Sequence, residues 1–253
     1  MRALYRDAID RMERSFRRLE DQVPRPVVVK IGDDEALRYA EKNLEQAILQ
    51  KLARYISGLN AIDVLLAAGQ LQEQGVIQRT LDDIGEDIQF LALVPGRGET
   101  GLHRRFLKAF WQEEFEEGVA PIDNTRGRYN VKRSEIRHAL DAALGAASIP
   151  QGVKAASVIH QTYSGYVHAA SPHIMEMCGG DELRYFLRGL RGTSRMPGHI
   201  ADAWNYAYRG LLATTSVAKV FGDAELTAAL YDYLSRFENA SGTTYIADAR
   251  SAS

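Results

Sequence analysis

Five apolar residues, Ile77, Leu81, Ile84, Ile88 and Leu91, recur at steps of four, three, four and three. That spacing follows the 3.6-residue turn of an α-helix, whereas a strand would scatter the five over both faces, so residues 71–93 are predicted to be an amphipathic helix. A stripe of this kind must be buried against a neighbour. Residues 36–68 are rich in Ala, Leu, Glu and Gln, the strong helix formers, with Asp33 or Asp34 as N-cap and Gly58 and Asn60 as tolerated kinks. Gly69-Gln70 allows a tight reversal, which makes the two segments the arms of an αα-hairpin.

The rest of the chain keeps the same period. Residues 3–22 place Leu4, Ile9, Met12, Phe16 and Leu19 on one face, and Pro24 and Pro26 end that helix. Val27-Val28-Val29-Lys30-Ile31 is the β-branched exception. It reads either as a short strand, for which Thr243–Ile246 is the one suitable partner, or as an extended arm. Further helices are expected at about 101–117, 132–146, 152–171, 180–190, 198–221 and 223–238, separated by Gly and Pro. Trp204, Tyr208, Leu211 and Leu212 form a late apolar face, available to a two-fold interface or to packing within the chain. The expected fold is all-α: a single bundle domain of about ten helices. It divides into an N-terminal helix and arm (1–33), a helical core (34–178), C-terminal helices packed on the core (179–238) and a flexible tail (239–253).

Composition bounds the function classes. The formal charge is −2, so nucleic acid or an anionic membrane would need a local patch. Cys178 is the sole cysteine, which excludes an internal disulfide and a multi-cysteine zinc site. No apolar run approaches the roughly 20 residues of a membrane span. The opening Met1-Arg-Ala-Leu-Tyr-Arg lacks a signal peptide's apolar region. The expectations are a cytoplasmic protein with no membrane contact, no cofactor and no metal.

Three groups of residues carry possible chemistry. Ser157, His160, Ser164, His168 and Ser171 share a helix face, beside an apolar face that includes Tyr163 and Tyr166. Two imidazoles flanked by hydroxyls suit proton transfer, but histidines two helical turns apart are too distant to share one ion. His173 and Glu176, beyond Pro172, are placed to curl back. Arg79, Asp82, Asp83, Glu86 and Asp87 lie opposite the apolar stripe. They read as a solvated face or, more sharply, as an anion contact made by Arg79 and oriented by Asp83. Asp63 is set in an apolar stretch and, if buried, needs a partner from the hairpin's return arm or the histidine stripe. Lastly, Arg126, Arg128, Lys132, Arg133 and Arg137 are basic enough for phosphate, with Glu113, Glu114, Glu116 and Glu117 near in sequence to neutralise them.

The hairpin Leu65-Leu66-Ala-Ala-Gly69 with Gln78-Arg79-Thr80-Leu81-Asp82-Asp83, followed by Tyr163-Ser-Gly-Tyr-Val-His168, resembles a family of uncharacterised bacterial helical proteins. That family shows an Arg-Thr-Leu-x-Glu-like turn and a later Tyr-x-x-x-x-His-like segment. It in turn resembles the HEPN superfamily of helical bundles, many of which dimerise and some of which are ribonucleases in defence and toxin systems. The resemblance spans about residues 34–178, and here the acidic position reads Asp in place of Glu. It implies a HEPN-like core, a homodimer, and a binding protein in a bacterial defence or toxin–antitoxin context. The alternative is a metal-independent ribonuclease or nucleotide-binding protein. Arg133 with His138, or Arg79 with His168, would be its catalytic pair, and Asp83, His160, Ser164 and Tyr163 the binding residues. Arg133–His138 and Arg97–His103 both fit the nuclease spacing of Arg, four to six residues, then His. So loose a pattern arises by chance in a chain with six histidines and many arginines. Ser134 also stands where active members carry Asn or Asp. A protein partner is therefore favoured over RNA.

Overall fold

Helix α1 (Arg2–Glu20) buries Ile9, Met12 and Leu19, with Leu4 and Phe16 half covered, along the face its periodicity marks. The computed structural model describes residues 2–32, 34–114, 119, 121–125, 127, 130–144 and 161–242. Ser157, His160, Arg126, Arg128, Tyr129, Glu116, Glu117 and the tail from residue 243, Thr243–Ile246 included, lie outside them.

After Pro24 and Pro26 the chain forms a hairpin in place of a lone arm. Strand β1 (Val27–Ile31) pairs antiparallel with β2 (Asp34–Arg38), Val27 opposite Arg38 and Ile31 opposite Asp34. Gly32, at φ +62°, takes the left-handed conformation that the tight turn needs. The expected helix start at Asp34 is thereby corrected: α2 runs Leu44–Ala68. Asn43 wins the cap. Its side chain accepts from the Gln46 N–H at 2.9 Å, and Gln46 Oε1 accepts from the Asn43 N–H at 3.2 Å. This reciprocal box satisfies two end donors, and an Asn cap alone is worth about 1 kcal/mol. The hairpin also crosses the expected boundary at residue 33.

Helix α2 passes Gly58 and Asn60 unbroken and reverses at Gly69 (φ +76°) into α3 (Leu71–Leu91). Leu81, Ile84, Ile88 and Leu91 are buried, so the αα-hairpin stands as read from the sequence. A single turn, α4 (Val94–Arg97), leads to α5 (Gly101–Phe110), which stops well short of residue 117. Helix α6 spans Arg133–Leu144, residues 161–167 are helical (α7), and Pro172 opens the short α8 (Ser171–Met175). The helix expected at 180–190 is absent. A minimal hairpin of β3 (Cys178–Gly179) and β4 (Arg184–Tyr185) and a run of turns replace it, with Gly180 and Leu183 at positive φ.

Helices α9 (Met196–Val220) and α10 (Ala224–Ser241) complete the core, and α9 packs against α1, α2, α3 and α10. Gly210 lets them meet. A Cβ there would sit 2.9 Å from Met12 Sδ, 2.9 Å from Leu59 Cδ1 and 3.0 Å from Tyr55 Cε1. The late apolar face is internal: Trp204 and Tyr208 lie against Phe237 of α10, with ring centroids 5.3 and 6.4 Å apart, and Leu211 is fully buried. Packing within the chain therefore accounts for Trp204, Tyr208 and Leu211. No described helix is long and apolar enough to cross a membrane.

Candidate functional site

Helix α3 presents Arg79, Asp83 and Asp87 at intervals of four, which stacks them on one face. That face is largely covered, which corrects its reading as a solvated face. Asp87 is only 1% exposed, because α6 covers it with Arg133 and α2 with Lys51. Asp87 Oδ2 accepts from Lys51 Nζ at 2.8 Å, and Oδ1 accepts from Arg133 Nη1 at 2.5 Å. The same Arg133 nitrogen donates to the Asp83 carbonyl at 3.0 Å. Arg79 Nη1 lies 2.8 Å from Asp83 Oδ1, the i, i+4 pair expected. Alongside, Arg137 Nε donates to Glu86 Oε1 at 2.8 Å. Burial pushes the Glu86 carboxyl above its ordinary range, against the opposing pull of Arg137 and Arg133.

These side chains wall a cleft of about 300 Å³ between α2, α3, α6 and α7. Ser164 and His168 line it from the end of α7, where the helix stops at residue 167 and Ala169 turns left-handed at φ +49°. The expected stripe from Ser164 to Ser171 is therefore broken at this turn. His168 is exposed. Lys51, Arg79 and Arg133, with Arg137 beside them, stand against Asp83, Asp87 and Glu86, an excess of one cation. Lys51 Nζ also lies 5.1 Å from the Phe110 ring centre and 5.7 Å from that of Phe106, rings whose faces favour a cation. The cleft can thus hold an anionic group on guanidinium donors, with an imidazole at its edge.

Arg79, Asp83, Arg133, Ser164 and His168 line one cleft. His138 does not. It is exposed on α6, and five residues of helix turn it about 140° from Arg133. Tyr163 serves packing: it is buried and donates to Asp202 Oδ2 at 2.7 Å, with its ring 5.9 Å from Tyr206. His160 lies outside the described residues. His103, of the other spaced pair, is 2% exposed, stacks on Phe90 at 4.1 Å and faces the Phe90 carbonyl at 3.1 Å through Nε2. Arg97 instead donates to the Ala143 carbonyl. His173 and Glu176 do curl back onto α7. Tyr166 donates to Glu176 Oε2 at 2.8 Å, and His173 packs where a Cβ on Gly165 would fall 2.0 Å from its ring.

Two more expectations are corrected. Glu113 pairs with Arg38 at 2.6 Å, so the carboxylates that neutralise Arg133 and Arg137 come from α3. Among the described residues Asp63 finds Arg2 and Arg6 of α1, at 2.9 Å each, and neither the return arm nor the described part of the histidine stripe. Lys51 was missed. Its signal was a lone cation in the apolar run from Ala47 to Leu52, which needs a buried counter-charge. No protein-family model, curated protein or solved structure matches the chain.

Proposed function

We propose that the protein is a helical binding module with a HEPN-like core, which takes an anionic group of its partner into the cleft and performs no bond chemistry. The observation that supports this reading is the meeting of Lys51, Arg79 and Arg133, from three helices, around two carboxylates. The excess cation favours an anion, and guanidinium groups pair with carboxylate or phosphate through two parallel hydrogen bonds. Ser164 adds a hydroxyl, whereas that of Thr80 donates to the Val76 carbonyl at 3.2 Å. Cytoplasmic location, which rests on composition, and the defence context and two-fold self-association, which rest on the family resemblance, belong to the same proposal. Sedimentation at micromolar protein reads the last of these. Titration calorimetry with inorganic phosphate, adenosine monophosphate and an acidic peptide tests the cleft. Binding abolished by Arg79→Ala and kept by Arg104→Ala supports the reading, and absence of binding to all three overturns it.

The second reading, a metal-independent ribonuclease, draws on Arg79 and His168 lining one cleft. The arginine would steady the phosphate while the imidazole moves a proton. Mixed RNA is incubated without metal with the wild type, His168→Ala and His138→Ala. Cleavage lost in His168→Ala replaces binding by catalysis at the cleft, and cleavage lost in His138→Ala moves the site to α6. No cleavage leaves the binding module standing.

A further inference from the structure

A second cavity lies where the N-terminal ends of α1 and α9 meet the C-terminal end of α2, and shares no residue with the cleft. It measures about 270 Å³, near the low end of the ~300–1,000 Å³ typical of small-molecule sites. Its walls are apolar: Leu66 from α2, Met196, Ile200 and Trp204 from the first turns of α9, and Tyr5 from α1. The Tyr5 hydroxyl is occupied, donating to the Leu59 carbonyl at 3.1 Å.

Charge is confined to Arg2, Asp63 and Arg191. The Asp63 carboxylate is shared by two guanidinium groups, Arg2 at 2.9 Å and Arg6 at 2.9 Å. Burial acts to raise its pKa, but hydrogen bonds from Arg2 and Arg6 prevail and hold it below the ordinary range, so it stays ionised. Arg191 has no hydrogen bond or ion pair among the described residues. The rim therefore carries more positive than negative charge.

The backbone of Arg191 is held at that rim by two approaches that only glycine permits. A Cβ on Gly69 would lie 2.4 Å from the Arg191 nitrogen, and one on Gly189 (φ +106°) 2.7 Å from the Ala68 carbonyl oxygen. The Leu190 N–H completes the seat, donating to the Gly69 carbonyl at 2.7 Å. The loop is thereby fitted to the end of α2 with its arginine over an apolar chamber.

We propose that this chamber binds a small amphipathic anion, an aliphatic or aromatic body with one carboxylate, its body against Trp204 and Ile200 and its head on Arg191. Calorimetry with decanoate and its neutral analogue decanol, both below their aggregation limits, tests it. Decanoate is expected to bind roughly tenfold tighter than decanol, the worth of one charge-assisted pair. Arg191→Gln should erase that preference. Ala67→Phe, at an exposed position on the chamber wall, should weaken both ligands while the thermal midpoint stays unchanged. Arg79→Ala should leave decanoate binding intact, which separates the chamber from the cleft. Equal affinity for the two ligands, binding indifferent to Ala67→Phe, binding lost in Arg79→Ala, or no binding would each overturn the proposal.

Discussion

Arg209 on α9 places Nη1 2.7 Å from Asp82 Oδ1 on α3, and that one oxygen also accepts the Tyr206 hydroxyl at 2.9 Å. The Asp82 side chain is 5% exposed, and the Arg209 guanidinium sits 4.8 Å from the Tyr206 ring centre. A charge pair so covered ties α3 to α9 across the core.

Breaking that pair from one side strands a guanidinium that is two-thirds covered, its side chain 32% exposed. Asp82→Ala is expected to cost about 2–3 kcal/mol, less than the penalty for a fully buried charge because solvent screens the exposed part. Replacing both partners, Asp82→Leu with Arg209→Met, should recover most of the loss, since an apolar substitute leaves no charge unpaired. Urea denaturation of the two variants decides this; a double variant no more stable than Asp82→Ala would refute it.

Overpacking supplies a second check. Gly210→Ala drives a methyl into Met12, Leu59 and Tyr55 at 2.9–3.0 Å. The gain in helix propensity, about 1 kcal/mol, is smaller than the strain wherever three helices must part. A net loss of about 1–2 kcal/mol is expected, and a raised denaturation midpoint would show that the crossing yields without cost.

Acid should weaken the fold through two buried imidazoles. Burial lowers the pKa of both His103 and His199, outweighing the Phe90 carbonyl at the first and Asp202 and Glu176 at the second; Arg195 adds to the lowering at the second. Their folded values therefore lie below the 6.5 of a free histidine. Well above pH 6.5 both states are neutral and nothing is lost. Below it the unfolded chain takes up protons first, and stability falls until the folded pKa is passed. Denaturation midpoints should decline on acidification from pH 7, and His103→Gln should flatten the slope.

The cleft makes its own prediction. Asp83 competes with any incoming anion for Arg79, which it holds at 2.8 Å. Asp83→Asn removes the competing charge but keeps the shape, so phosphate should bind about fivefold tighter, on the scale of one partly exposed ion pair. Weaker binding in this variant would mean that Asp83 positions Arg79 more than it masks it.

Periodicity carried the helices because burial of one face decides them: Leu81, Ile88 and Leu91 on α3 and Leu211 on α9 are buried where their spacing puts them. It failed at 34–38 and 180–190, where short segments obey turns. A positive φ at Gly32 and a cap at Asn43 outweigh the modest helix propensity of Asp34–Arg38. The site was legible by half. Arg79, Arg133 and His168 stand out in the sequence, but α3's acidic face reads either as solvated or as an anion contact, because its basic partners lie on α2, α6 and α9. A pairing across 36 to 127 residues leaves no trace in local pattern. Asp63 met the same obstacle, since its arginines sit about 60 residues upstream.

The union of α1 with α10 bears on how the chain comes to be folded. Tyr233 donates to Asp7 across 226 residues at 2.6 Å, and Arg18 reaches Asp223 across 205. Met12 and Ile9, meanwhile, are buried in a core that α9 completes. During synthesis α2 can cover part of α1 soon after it emerges, but the share of its apolar side that α9 and α10 cover stays bare until roughly 200 more residues are made. Ribosomes add roughly 5–20 residues each second, so that exposure lasts on the order of ten seconds or more. Contacts this distant in sequence also slow closure of the fold. Through that interval the α9-facing side of α1 stays bare on an α1–α2 unit, and a nascent-chain chaperone would find an apolar target there.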